Sequence, residues 1–432
     1  MEAYGCDAFH IRRRIEEMNE KNRVVVTGMG VISALGLDEK TLWQNMIAGK
    51  CGINRISTFD LTGYKALNGA EVNTEQFTAV MKSRQVPPSS DRTVDFALTA
   101  AAEALEQAGI RTAGPATQAT EMGVIVGSGI GCSHSLLTAN EGYSTKGIKG
   151  VRPTTVPRCM ANAISSQVSM KFRLTGPNYV IVSACTSATT AIGISYRMIK
   201  DGIINMILTG GTEAPFDQRT YCGWNNLGVM STNPEPEKSC RPFDADRDGC
   251  VLGEGAGMLV LESLESALKR KAVIRGEICG FGESSDASHI TRPSPEGQAS
   301  AITSALKSAG MTPADIGFIN AHGTATETND ECEAKSIRLA MGTDTDRIPT
   351  VSNKSYFGHT LGASGAIETI VTILGLEKGV IPGNLNLDNP DPLCNLCLVG
   401  KEPLKISATA AMKNSFGFGG NNAVLILRRF NG

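Results

Sequence analysis

The chain has 432 residues, and 41 Lys+Arg against 43 Asp+Glu leave a formal charge of −2, so neither a basic nor an acidic field is offered and general nucleic-acid binding is excluded. With 41% hydrophobic and 19% charged residues, a globular chain is expected, able to bury a large core as one unit or as two to three domains. No run reaches the length of a membrane span, and Arg12, Arg13, Arg14, Glu16 and Glu17 stand where a secretory signal needs an apolar stretch; a cytoplasmic protein with no membrane partner is expected.

Residues 1–22 read as an appended, partly helical arm, with Ile11, Ile15 and Met18 on one face. From Arg23 the pattern is strand, glycine turn, helix, repeated. Strand-like runs fall at Arg23–Thr27, Met122–Val126, Tyr179–Ser183, Met206–Thr209, Met258–Leu261, Phe318–Asn320, Thr350–Ser352 and Val424–Leu427, with helical periods at Val94–Ala108, Ser187–Lys200 and Gln298–Ala309. This alternation predicts an α/β protein with buried sheets. A return to the same pattern from about Val273 suits a duplicated architecture, with one half over 23–272 and a second over 273–432.

Glycine-rich turns at Gly28, Gly30 and Gly36, and at Gly127, Gly129 and Gly131, raise a dinucleotide site, but neither set completes GxGxxG, and FGFGG at 416–420 leads into a strand instead of a helix. The 12 cysteines are scattered, so reduced thiols are expected. Cys394 and Cys397 have CxxC spacing without a second ligand pair, and no metal site is expected.

One cysteine stands apart. Cys185 follows the apolar run Tyr179–Ser183 and opens the helical stretch TSATTAIGISYRMIKDG, so unpaired N–H groups are expected to favour its thiolate and to receive an oxyanion. His322 in INAHGTATETND and His359 in NKSYFGHTLGASGA each follow a strand-like run in a turn of small residues, where a side chain can project into a cleft. Lys354, Asp330 and Glu333 add charges beside them. His10, His134 and His289 are read as structural.

VSACTSATTAIG, NAHGTATETND, NKSYFGHTLGASGA and NSFGFGG, with RPFDADRDGCVLGEGAG and TGGTEAP, in this order and spacing, resemble the β-ketoacyl-acyl-carrier-protein synthases, over about Arg23–Arg429. The resemblance is to the second-type elongating synthases and to the ketosynthase subunits of type II polyketide systems. It implies a thiolase-like five-layer α-β-α-β-α fold from two related halves, with Cys185 as acyl acceptor and His322 and His359 acting on a malonyl extender. By the same resemblance Lys354 belongs to the catalytic network, Glu333 and Asp330 order the His322 loop, and the N–H groups of Cys185 and Phe418 receive the oxyanion. Phe418 is then also a gate flexed by Gly417, Gly419 and Gly420, while Thr324 and Thr326 bind the pantetheine arm. Ile130, Thr154, Thr155, Val156 and Cys250 are expected at the acyl pocket. The implied partners are an acyl carrier protein, expected to dock at the local basic excess of Lys146, Lys149, Arg152 and Arg158, and a second chain, identical or chain-length-factor-like. No cofactor beyond the carrier's phosphopantetheine is implied.

Thr154, Thr155 and Cys250 stand where the fatty-acid enzymes usually have aromatic rings, and TATET and Asn421 also depart from their pattern. A wider, more polar pocket favours a polyketide or polyene pathway, with housekeeping fatty-acid elongation as the alternative. A noncatalytic chain-length factor would lack Cys185, and a thiolase would carry a second catalytic cysteine in its last loop, which FGFGG does not.

Overall fold

The computed structural model describes residues 23–89, 91–110 and 121–431; the arm expected over 1–22 lies outside them. Ten strands carry the architecture: β1 (Val24–Ser33), β2 (Gly123–Gly127), β3 (Asn178–Ile181), β4 (Met206–Glu213), β5 (Gly255–Ser263), β6 (Gly276–Ser285), β7 (Phe318–Asn320), β8 (Thr350–Val351), β9 (Ala410–Gly417) and β10 (Asn421–Arg428). Their order is β8-β7-β9-β10-β6-β1-β5-β4-β2-β3. Cut between β6 and β1, the two halves share one topology. In each, the second strand pairs in parallel with the third and fourth, and the fifth runs antiparallel between the fourth and the first. The halves join where β1 meets β6 antiparallel, Val24 opposite Ile278 through Val26 opposite Gly276.

Six helices complete the layers: α1 (Arg92–Gln107), α2 (Ala163–Phe172), α3 (Ser187–Lys200), α4 (Pro295–Ala309), α5 (Glu327–Met341) and α6 (Ser364–Lys378). α1 and α2 cover the outer face of the first sheet. α4 covers that of the second, with α5 packed on it, and α3 and α6 lie side by side between the sheets, touching strands of both. The result is the five-layer α-β-α-β-α fold expected. In α6 every residue from Ser364 to Leu376 is buried, the mark of a helix walled in on all sides.

The glycines that suggested a nucleotide loop serve packing instead. β1 runs on to Ser33, so Gly28 and Gly30 are inside the strand. A Cβ on them would lie 2.0 Å from Ala104 O and 2.1 Å from Ala100 O of α1. Gly127 meets the first turn of α3 in the same way, its Cβ position 2.2 Å from the carbonyl carbon of Ser187. Missing side chains let helix backbone settle directly on strand backbone. Gly30→Ala is therefore expected to lower stability by about 3 kcal/mol through overpacking, read as a fall in the urea midpoint. Gly223→Ala, in the helix Gln218–Leu227 with nothing within 4 Å of its Cβ position, should leave the midpoint unchanged or raise it; equal midpoints for parent and Gly30→Ala would refute the close-packing role.

Candidate active site

β3 ends at Ile181, a single tight turn Ala184–Thr186 follows, and α3 begins at Ser187. Ala184 takes a left-handed φ of +52°, a costly conformation for a residue with a Cβ. It is held there by Ser187, whose Oγ donates to Ala184 O at 2.6 Å and accepts from Ser183 N at 2.9 Å. The turn aims Cys185 into the cleft between the halves. Its Sγ lies 3.0 Å from His359 Nε2, and the backbone N–H groups of Phe418 and Cys185 lie against the sulfur. The thiolate expectation does not hold in this state: burial pushes the thiol up to about 12, with Glu213 adding to it, and outweighs Lys354 and the two N–H groups that pull the other way.

The two imidazoles stand edge to face, ring centroids 5.3 Å apart. Both are buried, and burial, reinforced by Lys354 and Lys413, holds both well below the ordinary histidine range, so both rings are neutral. Their second nitrogens have partners of different kinds. His359 Nδ1 meets Ser364 Oγ at 2.9 Å, a hydroxyl that can donate or accept. His322 Nδ1 lies 3.4 Å from Lys354 Nζ, which also donates to His322 O. An ammonium can only donate, so it places the His322 proton on Nε2.

The His322 loop hangs on Glu333, whose carboxylate accepts from His322 N at 2.8 Å, Gly323 N at 2.7 Å and Asn414 Nδ2 at 3.2 Å. Asp330 acts one step further out, accepting from Phe243 N at 2.8 Å and facing Arg247 Nε at 3.9 Å. A cavity of about 210 Å³ opens from Cys185, His322 and His359 toward Thr324, Thr326 and Phe418. The Thr324 and Thr326 hydroxyls bond each other at 2.9 Å. Phe418 stacks on Trp224 at 6.1 Å and is flanked by Gly417 and by Gly419 and Gly420, both left-handed. Cys250 lines the same cavity.

Four residues expected at the acyl pocket lie elsewhere. Ile130, Thr154, Thr155 and Val156 do not line this cavity; Thr154 and Thr155 border a separate shallow one with Arg152 and Arg158. Residues 133–160 form an outlying lobe with Leu136, Ile148 and Val156 exposed, which carries Thr154, Thr155 and Val156 away from the cavity, and Ile130, whose N–H donates to Glu213 at 3.2 Å, is itself 39% exposed. Lys149 and Arg152 are exposed on it. His289, read as structural, sits at the cavity mouth.

Sequence reasoning missed Ser364, Glu368 and Lys413. Ser364 falls inside NKSYFGHTLGASGA, a motif already singled out, whereas Glu368 lies two residues beyond it on the same face of α6 and reads as an ordinary helix glutamate. Lys413 directly precedes NSFGFGG and carries no signal, since a lysine in a strand reads as solvent-facing. The Sγ of Cys185 and a ring nitrogen of each histidine lie within 4.8 Å of one another, a spacing that soft metals accept. The nearby ammonium of Lys354 opposes a second cation, however, and the arrangement suits an anion.

Among the described residues no helix is long and apolar enough to cross a membrane. Residues 21–267 match the family of the β-ketoacyl synthase N-terminal domain and residues 275–388 that of its C-terminal domain. A 3-oxoacyl-[acyl-carrier-protein] synthase 2 of Coxiella burnetii is 40% identical over 95% of this chain and 99% of its own, and one of Staphylococcus aureus is 38% identical over 96% and 100%. The structure is similar to that of the ishigamide ketosynthase/chain length factor, with TM-score 0.87 and 33% identity over 95% of this chain and 99% of the other. It is also similar to a type II polyketide synthase acyl-carrier protein in complex with its ketosynthase bound to the hexaketide, with TM-score 0.86 and 29% identity over 94% and 99%. Both halves matched and full-length relatives at this identity place the chain in the β-ketoacyl synthase family, as a ketosynthase, a condensing acyltransferase.

Proposed function

We propose that Cys185 accepts an acyl group from a carrier thioester and that His322 and His359 then act on malonyl-carrier. The observation that carries this reading is the 3.0 Å contact of Cys185 Sγ with His359 Nε2, beneath two backbone N–H groups and beside a second neutral imidazole. In the first step Sγ attacks the thioester carbonyl as His359 Nε2 takes its proton, with Ser364 accepting from the proton left on Nδ1. The N–H groups of Cys185 and Phe418 receive the oxyanion, and the proton passes to the departing carrier thiolate. Before the second step the His359 proton moves from Nδ1 to Nε2 by exchange through the Ser364 hydroxyl, which then donates to Nδ1. Malonyl-carrier loses carbon dioxide, and its enolate oxygen accepts N–H bonds from His322 Nε2 and His359 Nε2. Each such donor is worth about 3 kcal/mol by analogy with oxyanion holes. The enolate carbon attacks the acyl-Cys185 carbonyl, the sulfur leaves as thiolate, and one proton from solvent restores the thiol. Neither half-reaction exchanges electrons with a carrier, so the phosphopantetheine of the carrier is the sole prosthetic group this chemistry requires.

Cys185→Ala is expected to abolish acyl-enzyme formation in intact-mass analysis. His322→Ala and His359→Ala should still acylate while carbon dioxide release from malonyl-carrier falls at least a hundredfold. Parental decarboxylation in both histidine variants would remove them from this mechanism.

We further propose that a second ketosynthase-fold chain, a second copy of this one or a chain-length-factor-like subunit, covers the edge of β3. Tyr179 and Val182 on that edge are 52% and 59% exposed, and Met170 and Val156 nearby are 65% and 66% exposed, an apolar patch at an open strand edge. Cover there would also enclose Ile130, Thr154 and Thr155. Lys149 and Arg152 stand on the adjoining lobe, where an acidic carrier would gain from charge complementarity. Tyr179→Asp with Val182→Asp should convert the assembly to single chains in light scattering; an unchanged mass would place the interface elsewhere.

For the pathway we propose specialised, oxygenated or unsaturated chains, on the observation that Cys250 lines the Cys185 cavity where a ring would narrow it. The curated synthase 2 relatives favour the second reading, housekeeping fatty-acid elongation. Cys250→Phe, alone and with Thr154→Phe and Thr155→Phe, is expected to shorten products or exclude polar intermediates while short acyl groups still load Cys185. The same products at the same rate, with saturated long chains extended as readily by the parent, would establish the fatty-acid reading.

A further inference from the structure

Beneath the two histidines Lys354, Glu368 and Lys413 form a buried ion cluster, which Glu333 faces from the His322 loop. Glu368, on α6, is fully buried and holds two ammonium groups: Lys354 Nζ at 2.6 Å from Oε1 and Lys413 Nζ at 2.8 Å from Oε2, each side chain 0% exposed. Lys413 comes from β9 and donates to Ser415 Oγ at 3.0 Å and to Asn414 O. Ser415 Oγ in turn bonds Thr189 Oγ1 of α3 at 2.7 Å. An unbroken polar chain thus runs from His322 through Lys354, Glu368, Lys413 and Ser415 to the helix that Cys185 opens. Two cations sharing one carboxylate in a dry interior is an expensive arrangement if one ion pair would serve. Nothing in the condensation chemistry touches Lys413, so its role has to be exerted through its neighbours.

We propose that Lys413 is a positioning residue for decarboxylation: by occupying Oε2 of Glu368 it leaves Lys354 turned toward His322 Nδ1, which keeps the Nε2 proton of His322 pointed into the cavity. With Lys413 gone, the whole carboxylate charge falls on Lys354 and draws its ammonium off the imidazole. The same change removes one positive charge from beneath both rings. The charged or titratable groups facing His322 are Lys354, His359 and Lys413, with Glu333 at its backbone; those facing Lys413 are Glu368, Lys354 and Glu333. Taking a cation away raises the proton affinity of both imidazoles, which burial and these lysines hold low. An imidazolium would pair with the malonyl carboxylate and stabilise it before carbon dioxide is lost, so decarboxylation falls as pH drops through the histidine titration. Lys413 keeps that acid limb at low pH.

The inference rests on the roles proposed for His322 and His359, and the test separates the two. In the full-length enzyme with Lys413→Met, acylation of Cys185 should not be slowed, because a more basic His359 takes the thiol proton at least as readily. For carbon dioxide release from malonyl-carrier, kcat should fall about tenfold at unchanged KM, with the acid limb about one pH unit higher, a tenfold change in proton affinity. Should this variant not fold, Lys413→Gln carries the same expectation, since an amide can bond Ser415 and Glu368 without the charge. A parental rate and pH profile in either folded variant, alongside an inactive His322→Ala, would overturn the role of Lys413 and leave that of the histidines standing. Equal loss of acylation and decarboxylation with an unmoved acid limb would assign Lys413 to packing alone and also overturn it.

Discussion

The arrangement around Cys185 depends on how closely α3 and α6 approach each other in the middle layer. A Cβ on Gly365 would stand 2.1 Å from Thr189 Oγ1, and one on Gly211 would stand 2.5 Å from Ala188 Cβ and 2.6 Å from Gly362 O. Two helices and a strand therefore meet backbone to backbone, which larger side chains would prevent. That contact sets the helix starts next to one another. One start carries Cys185, and the residues just before the other carry His359, so the 3.0 Å sulfur–nitrogen contact follows from a packing distance fixed elsewhere.

Duplication explains why both helices begin alike. α3 is preceded by a tight turn at Ala184–Thr186 and starts at Ser187; α6 is preceded by one at Leu361–Ala363 and starts at Ser364. Ala184 and Leu361 are both left-handed, at φ +52° and +48°. Where the first half has Cys185 after the strained residue, the second has Gly362, whose N–H is bound by Glu213 at 3.0 Å. The serines have diverged as well. Ser187 Oγ braces its own turn, whereas Ser364 Oγ turns to His359 Nδ1. The same helix-start geometry is a thiol platform in one half and a support for an imidazole in the other, and the left-handed residue recurs where each half projects a group into the same cleft.

Much of this was legible in the sequence because it depends on local periodicity. The eight strand-like runs named from apolar content each overlap a strand, and Ser187–Lys200 coincides with α3. β6 and β9 went unnamed. β6 is broken by Gly276, Gly280 and Gly282, the latter two of which take α4 backbone against them, and β9 hides behind Lys413 and Asn414, polar residues buried by partners distant in sequence. Cys185, His322 and His359 were found because their turns lie inside recognisable motifs. Glu368 and Lys413 were not, since a buried ion cluster is defined by three elements at once and leaves no pattern along any one of them. Likewise, the thiolate expectation was a helix-start argument that took no account of burial, which the sequence does not display at a single residue.

Burial, in fact, gives the site its resting character. It pushes the thiol up and the imidazoles down, so the three groups that face the cavity are all uncharged, while the ions stand one layer below as Lys354, Glu368 and Lys413. A cavity with neutral walls above buried lysines leaves the carboxylate of the proposed malonyl substrate without a cation in direct contact, while the field of the lysines acts through little intervening water. Negative charge then appears in turn on the thioester oxygen, the enolate oxygen and the departing sulfur. In the proposed cycle N–H groups of the chain meet it each time: those of Cys185 and Phe418 at the sulfur side and, once the His359 proton is on Nε2, those of the two imidazoles across from them. No donor has to be recruited from solvent, and the cost of holding unpaired donors in a dry cleft is carried by the fold before any substrate arrives.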